Sequence, residues 1–457
     1  MKKLLLILLL VFIHQVNAQY TKLYDFNNTN GSSPYGSLIS DGTYLYGMTT
    51  GGGVNNYGVI FKILPNGTGY TDLFDFNGLT GQNPYGSLIS DGTFLYGTAM
   101  NNYMNSNGVV FKIKSNGTGY DTLHNDTYSS ISHTDGALYY DGIFLYGLIP
   151  TGGTSNNGNI YKILPNGTGY TDLFDFNFTN GATPIGSLIS DGTFLYGVTN
   201  GGGSNGSGII YKIKPDGTGY DTLLNFSNVN YGANPNSSLI YDGTYLYGMT
   251  YNGGTNLYGN IYKIKPNGTG YDTIISFNGI NGRLPIGTLA FDGTFLYGTT
   301  QFGGIGSCTY GCGVLFKIKP DGTGYSKLHD FTNTTSDGGF PNGNLLYDGA
   351  CLYGMTNGGG SNSGGTIFKY CGIADIEQLS TKEENVIVFP NPCTDKITVS
   401  SSSIIDEVIV VDVLGQTIYE AKPHKESISL QLDNAGIYFV TISIDKEVRT
   451  ERVIINK

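Results

Sequence analysis

The stretch Asp41–Gly47, DGTYLYG, returns along the chain as DGTFLYG from Asp91, DGIFLYG from Asp141, DGTFLYG from Asp191, DGTYLYG from Asp242, DGTFLYG from Asp292 and DGACLYG from Asp348. The closing glycines fall at Gly47, Gly97, Gly147, Gly197, Gly248, Gly298 and Gly354, a step of 50 residues that becomes 51 once and 56 once. A period of this size marks a repeat architecture, in which each unit is one supersecondary element that buries its apolar face against its neighbours. Each copy carries its own turn chemistry. Asp-Gly sits between two short β-favouring runs and suits a two-residue hairpin turn whose central residues both take positive φ. The spacing predicts antiparallel strands over Ser37–Ser40 and Thr43–Thr49, and it assigns the seven aspartates to turns rather than to catalysis.

The rest of the repeat supplies two more strands. A loop, TGGGVNNYG, leads to Val59–Ile63; a Pro65-Asn66-Gly67 turn leads to Gly69–Asn77; a linker, GLTGQNPYG, leads to the next copy. The third strand carries an aromatic-Lys pair, from Phe61-Lys62 to Phe368-Lys369, and strand alternation puts ring and ammonium on opposite faces. Four short strands repeated seven times are the pattern of a β-propeller. The last repeat stops at Phe368–Gly372 without a fourth strand, and Gln19–Asn27, QYTKLYDFN, matches GYTDLFDFN at Gly69 and at Gly169. The expected fold is therefore all-β: a seven-bladed β-propeller of four-stranded blades, its last blade closed by the N-terminal strand, followed by a small C-terminal β-sandwich. A β-solenoid is the alternative, but an open stack has no use for a matching split end. The long linkers and the Gly/Asn-rich loops should emerge on one face, the natural place for binding.

Composition narrows the class. There are 70 glycines, 36 tyrosines and no tryptophan, with 13% charged residues, which argues for many turns and aromatic packing rather than disorder. The net charge is −11 and no basic cluster occurs, so nucleic acid is not an expected partner. The first 18 residues, MKKLLLILLLVFIHQVNA, have the basic start, apolar run and small-residue end of a secretory signal, with cleavage expected after Ala18. The apolar run is short for a bilayer span, and no transmembrane segment is expected after signal removal. The expected organisation is a signal over 1–18, repeats over 19–372, a linker over 373–384 and a separate domain over 385–457. Export permits disulfides. Cys308 and Cys312 flank an insertion, SCTYGC, found in one repeat, and Cys351 and Cys371 lie near facing ends of adjacent strands; the sequence leaves the connectivity open. A zinc site is the alternative, without a nearby histidine to favour it. Cys393 is given no role.

There is no HExxH or GK[ST], and the Gly-rich loops lack the acids of calcium-binding turns. The LYG tyrosines are assigned to packing between repeats rather than to a sugar platform. The main departure from the repeat is His124–Gly136, HNDTYSSISHTDG, which places His124, Asp126, His133 and Asp135 in one linker as candidates for a metal or acid–base site. The competing reading is packing, since His124 takes the column of Phe74 and Phe174, and His329 does the same in another repeat. No catalytic residue, metal or cofactor is assigned, although carboxylates from distant repeats could still be brought together.

Two resemblances follow from these motifs. Asn385–Lys457, with Phe389-Pro390-Asn391-Pro392, Asp395-Lys396-Ile397, Asp412-Val413-Leu414-Gly415-Gln416 and Ala435-Gly436-Ile437-Tyr438, resembles the type A C-terminal sorting domain of the type IX secretion system of Bacteroidota. That resemblance implies a small β-sandwich, the type IX secretion machinery as partner, passage through the periplasm and outer membrane, and release or anchoring at the cell surface. Residues 19–372, with their LYG, GG and Phe-Lys pattern, resemble the GloVer tandem repeats of exported proteins, which implies a propeller-like architecture and no particular activity. The expected function is a non-catalytic binding or adhesion module that uses the long-loop face for a glycan or protein ligand. A surface enzyme acting on glycans and a structural surface component are the alternatives.

Overall fold

The computed structural model describes residues 19–100, 108–125, 136–227, 231–372, 387–389, 395–412, 416–432, 434, 436–444 and 447–455. The expected signal with Ala18 and the linker 373–384 lie outside the described residues. All regular elements described are strands, and the chain divides into two compact units, Met1–Ile373 and Ala374–Lys457.

In the first unit, β1 (Gln19–Asp25) precedes β2 (Ile39–Ser40), β3 (Leu45–Thr49), β4 (Val59–Ile63) and β5 (Thr71–Asp75). Strands β2 to β5 form one antiparallel sheet in chain order, and each later LYG copy has its own sheet of four or five strands. In the sheet of the last copy the outer place beside Thr366–Cys371 is taken by β1, with Gln19 opposite Cys371 and Asp25 opposite Thr366. Each sheet is an open path of strands, and none closes on itself.

The hairpin turn is displaced by one residue from the expected one. Ile39 pairs with Tyr46 and Ser40 with Leu45, and the Asp41 N–H donates to the Tyr44 carbonyl at 3.2 Å, which leaves Gly42 and Thr43 as the two loop residues. Only Gly42 takes positive φ, 88°. This is the glycine-first arrangement that matches strand twist. Asp41 works from beside the loop, its Oδ1 accepting the N–H of Thr43 at 2.8 Å and of Tyr44 at 2.7 Å. The first strand is also shorter than expected, because the Ser37 N–H turns away to the next repeat, donating to Ser87 Oγ at 2.8 Å.

Packing explains the LYG glycine. Gly47 lies opposite Phe61 on β4, and the Phe61 ring occupies the space a Cβ would need. The cores lie between successive sheets: Tyr46, Met48 and Ile60 of one repeat pack with Leu88, Leu95, Phe111 and Ile113 of the next. Proline links the same neighbours. Pro84 covers Gly58 of the preceding repeat, and the Asn83 N–H donates to the Tyr57 carbonyl at 2.8 Å. Ser33 makes the corresponding bond to Gly364 at 2.8 Å.

On the inner side, backbone meets backbone. A Cβ at Gly36 would strike the Gly86 carbonyl, one at Gly86 the Gly136 carbonyl, and one at Gly343 the Gly36 carbonyl. Beside them runs a series of N–H to side-chain oxygen bonds: Ser187 to Ser238 at 2.7 Å, Ser238 to Thr288 at 3.2 Å, Thr288 to Asn344 at 2.6 Å and Asn344 to Ser37 at 3.1 Å. Residues of all seven repeats, from Tyr35 and Tyr85 to Asn342, line one narrow passage of about 50 Å³.

The second unit has a three-stranded sheet (Ile387–Phe389, Lys396–Ile405, Lys425–Gln431) and a four-stranded one (Thr417–Ala421, Glu407–Asp412, Gly436–Ile444, Glu447–Ile455). Ile397, Val399 and Leu430 of the first share one core with Val408, Val440 and Val453 of the second.

Substitution separates the roles of these glycines. Gly47→Ala drives a methyl into the Phe61 ring and is expected to cost about 2 kcal/mol. Gly201→Ala, whose methyl would meet only the Ala182 carbonyl at 3.7 Å, should change stability by less than about 0.5 kcal/mol. Chemical denaturation of the two variants checks this, and equal losses would remove the packing explanation.

Candidate functional site

The acids of the repeat are spent on its turns. The LYG tyrosines are buried between sheets, and in the first six copies the hydroxyl donates to Oδ2 of its own turn aspartate, as Tyr46 to Asp41 at 2.7 Å, Tyr96 to Asp91 at 2.7 Å, Tyr196 to Asp191 at 2.6 Å and Tyr297 to Asp292 at 2.7 Å. Burial opposes ionisation of Asp41, but the backbone N–H groups and the Tyr46 hydroxyl outweigh it and hold the carboxyl below its usual range. The reverse holds for the phenol: burial, then the hydrogen bond to Asp41, pushes Tyr46 up to about 12. These rings present no flat face to a ligand.

Where the repeats disagree, His124 stacks on Tyr170 with ring centroids 3.9 Å apart. That is the position of Phe74 on Tyr120 and Phe174 on Tyr220, both at 4.1 Å. Burial lowers the His124 pKa. Asp126, His133 and Asp135 lie outside the described residues. His329 stacks on Tyr20 of β1 at 3.8 Å, and its Nε2 is 3.1 Å from both oxygens of Asp337. Asp337 also accepts the Thr332 N–H at 2.8 Å and the Thr332 hydroxyl at 2.9 Å. Burial opposes its ionisation, but the His329 hydrogen bond and charge lead the groups that hold its pKa low. The sequence offered one signal for Asp337: it falls in the linker before the LYG copy reached by the 56-residue step. Among the described residues, no three His, Cys, Asp or Glu side chains converge as a metal site.

Both cysteine pairs are disulfides, Cys308–Cys312 and Cys351–Cys371. Cys351 and Cys371 are direct partners on neighbouring strands. Cys351 stands where the other repeats have an aromatic ring under the strand lysine, as Tyr44 lies under Lys62 at 4.6 Å and Phe295 under Lys317 at 4.3 Å. A covalent link replaces that contact in the one sheet that β1 joins.

The Gly/Asn loops and the linkers meet, as expected of a common face. The Gly53 N–H donates to the Asn28 carbonyl at 2.7 Å, and Asn55 Nδ2 to the Phe76 carbonyl at 3.0 Å. Their tips expose Val54, Leu79, Phe178, Leu257, Ile280, Ile305 and Tyr310. Arg283 lies among these loops, its Cζ 4.5 Å from the Tyr258 ring and 4.8 Å from the Tyr310 ring. Its neighbours in sequence give no sign of this role, because its ring partners come from two other segments. A cleft of about 330 Å³ lies elsewhere, among the turns, lined by Asp41, Tyr46, Phe94 and Ser115. Of the sorting-motif residues, Pro390, Asn391, Pro392 and Gly415 lie outside the described residues. Gly436 opens a strand, and Tyr438 is buried with its hydroxyl donating to the Asn434 carbonyl at 3.0 Å.

Repeated antiparallel sheets with a terminal sorting unit define an exported, propeller-like all-β repeat protein. Residues 10–144 and 133–309 match the Gloeobacter/Verrucomicrobia repeat, and residues 387–456 match the secretion system C-terminal sorting domain. The chain belongs to the Gloeobacter/Verrucomicrobia repeat family, and its type IX sorting domain marks it for export to the cell surface or secretion. No curated protein matches it in sequence. Among solved structures it is similar to the extracellular domain of the hybrid two-component system BT4673 from B. thetaiotaomicron (12% identity, 96% of this chain, 59% of that one, TM-score 0.50). It is also similar to a puromycin-hydrolyzing peptidase from Mycobacterium tuberculosis (12%, 83% and 61%, TM-score 0.50). A third similar structure is PorZ of Porphyromonas gingivalis (14%, 95% and 60%, TM-score 0.44). The chain spans about three-fifths of the length of these structures. At such identity the likeness concerns the fold alone. No helix among the described residues is long and apolar enough to cross a membrane.

The turn carboxylates set an acid limit. Asp41, Asp91, Asp141, Asp191, Asp242 and Asp348 all have folded pKa values below the ordinary 3.8. Their stabilisation is complete above 3.8 and is lost as pH falls through the lower folded values. Asp72, pushed up to about 6 by burial and then by Asp75, acts oppositely, so stability should rise slightly on acidifying towards about pH 5 before it falls. Thermal melting against pH should show this steep acid loss, and Tyr→Phe at Tyr46, Tyr96 and Tyr196 together should make it shallower. An unchanged acid slope in the triple variant would refute the linkage.

Proposed function

We propose that residues 19–372 close as a seven-bladed propeller, joined by a linker over 373–384 to the sorting domain at 385–457, after loss of a signal ending at Ala18. Three contacts support closure: β1 against Thr366–Cys371, Ser33 against Gly364, and Asn344 against Ser37. Removing residues 19–25 from the full chain should then cost far more than one edge strand's worth of stability, because it takes Tyr20 from the His329 stack and Phe26 from its support. Circular dichroism melting tests this; a melting midpoint within a few degrees of the parent would count against a closed ring.

At the cell surface this propeller acts as a non-catalytic binding module that presents the long-loop face to a glycan or protein. The observation that carries the reading is the exposure of apolar and aromatic tips, Val54, Leu79, Phe178, Leu257, Ile280, Ile305 and Tyr310, on loops fixed by backbone hydrogen bonds. The His329–Asp337 pair favours a second reading, a surface enzyme acting on glycans. A screen of the full chain against glycans and surface proteins, with product release assayed in parallel, separates them. The expected result is saturable binding without turnover, weakened by polar substitutions at Leu79 and Ile280. Product release abolished by His329→Gln would make the protein an enzyme, and silence in both assays would favour a structural surface component.

A further inference from the structure

Two departures from the repeat meet at one point of the long-loop face. Arg283 is the only arginine between Gln19 and Gly372, and its column holds Ser32, Gln82, Ala182, Ala233 and Gly339 in the other described repeats. Tyr310 comes from SCTYGC, the insertion carried by a single repeat and closed by the Cys308–Cys312 disulfide. The Arg283 Cζ lies 4.8 Å from the Tyr310 ring and 4.5 Å from the Tyr258 ring of the preceding repeat's loop. Tyr251 also feels this charge: burial raises its phenol, and Arg283 partly offsets the rise.

An arginine in a chain of net charge −11 has many carboxylates to choose from, yet among the described residues Arg283 forms no ion pair. Its Nε is enclosed and has no hydrogen-bond partner. With Nε enclosed, the Nη groups are the donors left to a ligand, and an oxyanion takes such guanidinium donors in fork geometry. Tyr310 beside it is 61% exposed, on a loop held by a disulfide. A flat, exposed, tethered ring next to a cation suits a sugar, whose ring C–H groups pack on the electron-rich face of an aromatic. The surrounding loops are rich in glycine, asparagine and tyrosine, which suits hydroxyl groups better than a charged protein partner.

We propose that Arg283, Tyr258 and Tyr310 form an anion subsite for an acidic glycan: Arg283 binds a carboxylate or sulfate on the sugar, and Tyr310 carries the sugar ring. This rests on the long-loop face being a binding surface, and it names the ligand class. It also gives the disulfide-closed insertion a task, that of holding Tyr310 over the arginine.

The test is calorimetric titration of the full chain with oligogalacturonate, with a sulfated carrageenan oligosaccharide, with neutral galactan oligosaccharides and with polyglutamate. At least one acidic sugar should bind, more weakly as salt rises. Arg283→Met should weaken that binding roughly tenfold or more, Tyr310→Ala should also weaken it, and Tyr310→Ala should leave the melting midpoint in place. Whether the carboxylated or the sulfated probe is preferred identifies the oxyanion. Equal affinity of the parent and Arg283→Met for the acidic sugars would overturn the subsite. Binding of neutral galactan alone, indifferent to Arg283→Met, would overturn the subsite while keeping the face as a binding surface. Polyglutamate bound as tightly as the sugars would replace the glycan by a protein carboxylate and overturn the proposal. No binding to any probe would also overturn it, and the broader protein and glycan screen then judges the face separately.

Discussion

Successive repeats touch backbone to backbone along their inner edge, and the rest of the first unit depends on that approach. A sheet of four short strands has two faces and too little apolar surface to stand alone. It becomes stable by setting Tyr46, Met48 and Ile60 against Leu88, Leu95 and Phe111 of the next sheet. That contact is deep only because Gly36 and Gly86 have no side chain to hold the sheets apart. The Ser37-to-Ser87 bond beside them satisfies a donor that the close approach has removed from water. The third repeat interrupts the series of hydroxyl acceptors, because Ala137 stands where Ser87 and Ser187 stand in its neighbours.

Much of this was legible because repetition turns a non-local contact into a local pattern. The LYG glycine and the aromatic of the next strand recur together, since Phe61 needs the space left by Gly47. The turn was legible in kind and wrong in register. Asp-Gly suggested two residues with positive φ, whereas the aspartate stands outside the loop and caps it. A dipeptide signal cannot distinguish these, because both put one acid and one glycine at a strand end. The features that escaped are single events. Nothing near His329 in sequence announces Tyr20, about 300 residues away, yet the two rings stack at 3.8 Å. Arg283 likewise draws its two rings from different repeats.

The same contrast tells where specificity can reside. A column that is alike in every repeat is under the same packing demand in each, as the turn aspartates and LYG tyrosines are. Recognition of one ligand needs an asymmetric arrangement, so it has to draw on positions where the columns diverge. In the described residues these collect on linkers and loops: Gln82 and Arg283 in one column, Tyr35, Tyr85, Asn236 and Asn342 at the narrow cavity the repeats share, and the SCTYGC insertion. The rigid seam beneath keeps such side chains in fixed relation, which lowers the entropy lost when a ligand binds.

The Cys351–Cys371 link lies in the sheet whose strand pairing spans the longest stretch of chain. Neighbouring repeats are near in sequence, whereas β1 pairs across some 350 residues, and contacts of such separation form slowly. Without β1 the outer edge of the last sheet is unpaired, and an unpaired edge invites pairing with another chain. Cross-linking Cys351 to Cys371 holds the hairpin that receives β1 in its native register, with Gln19 coming to lie directly beside Cys371. The disulfide thus sits in the one sheet whose strands come from both ends of the unit, and it replaces the lysine–aromatic contact that is enough elsewhere.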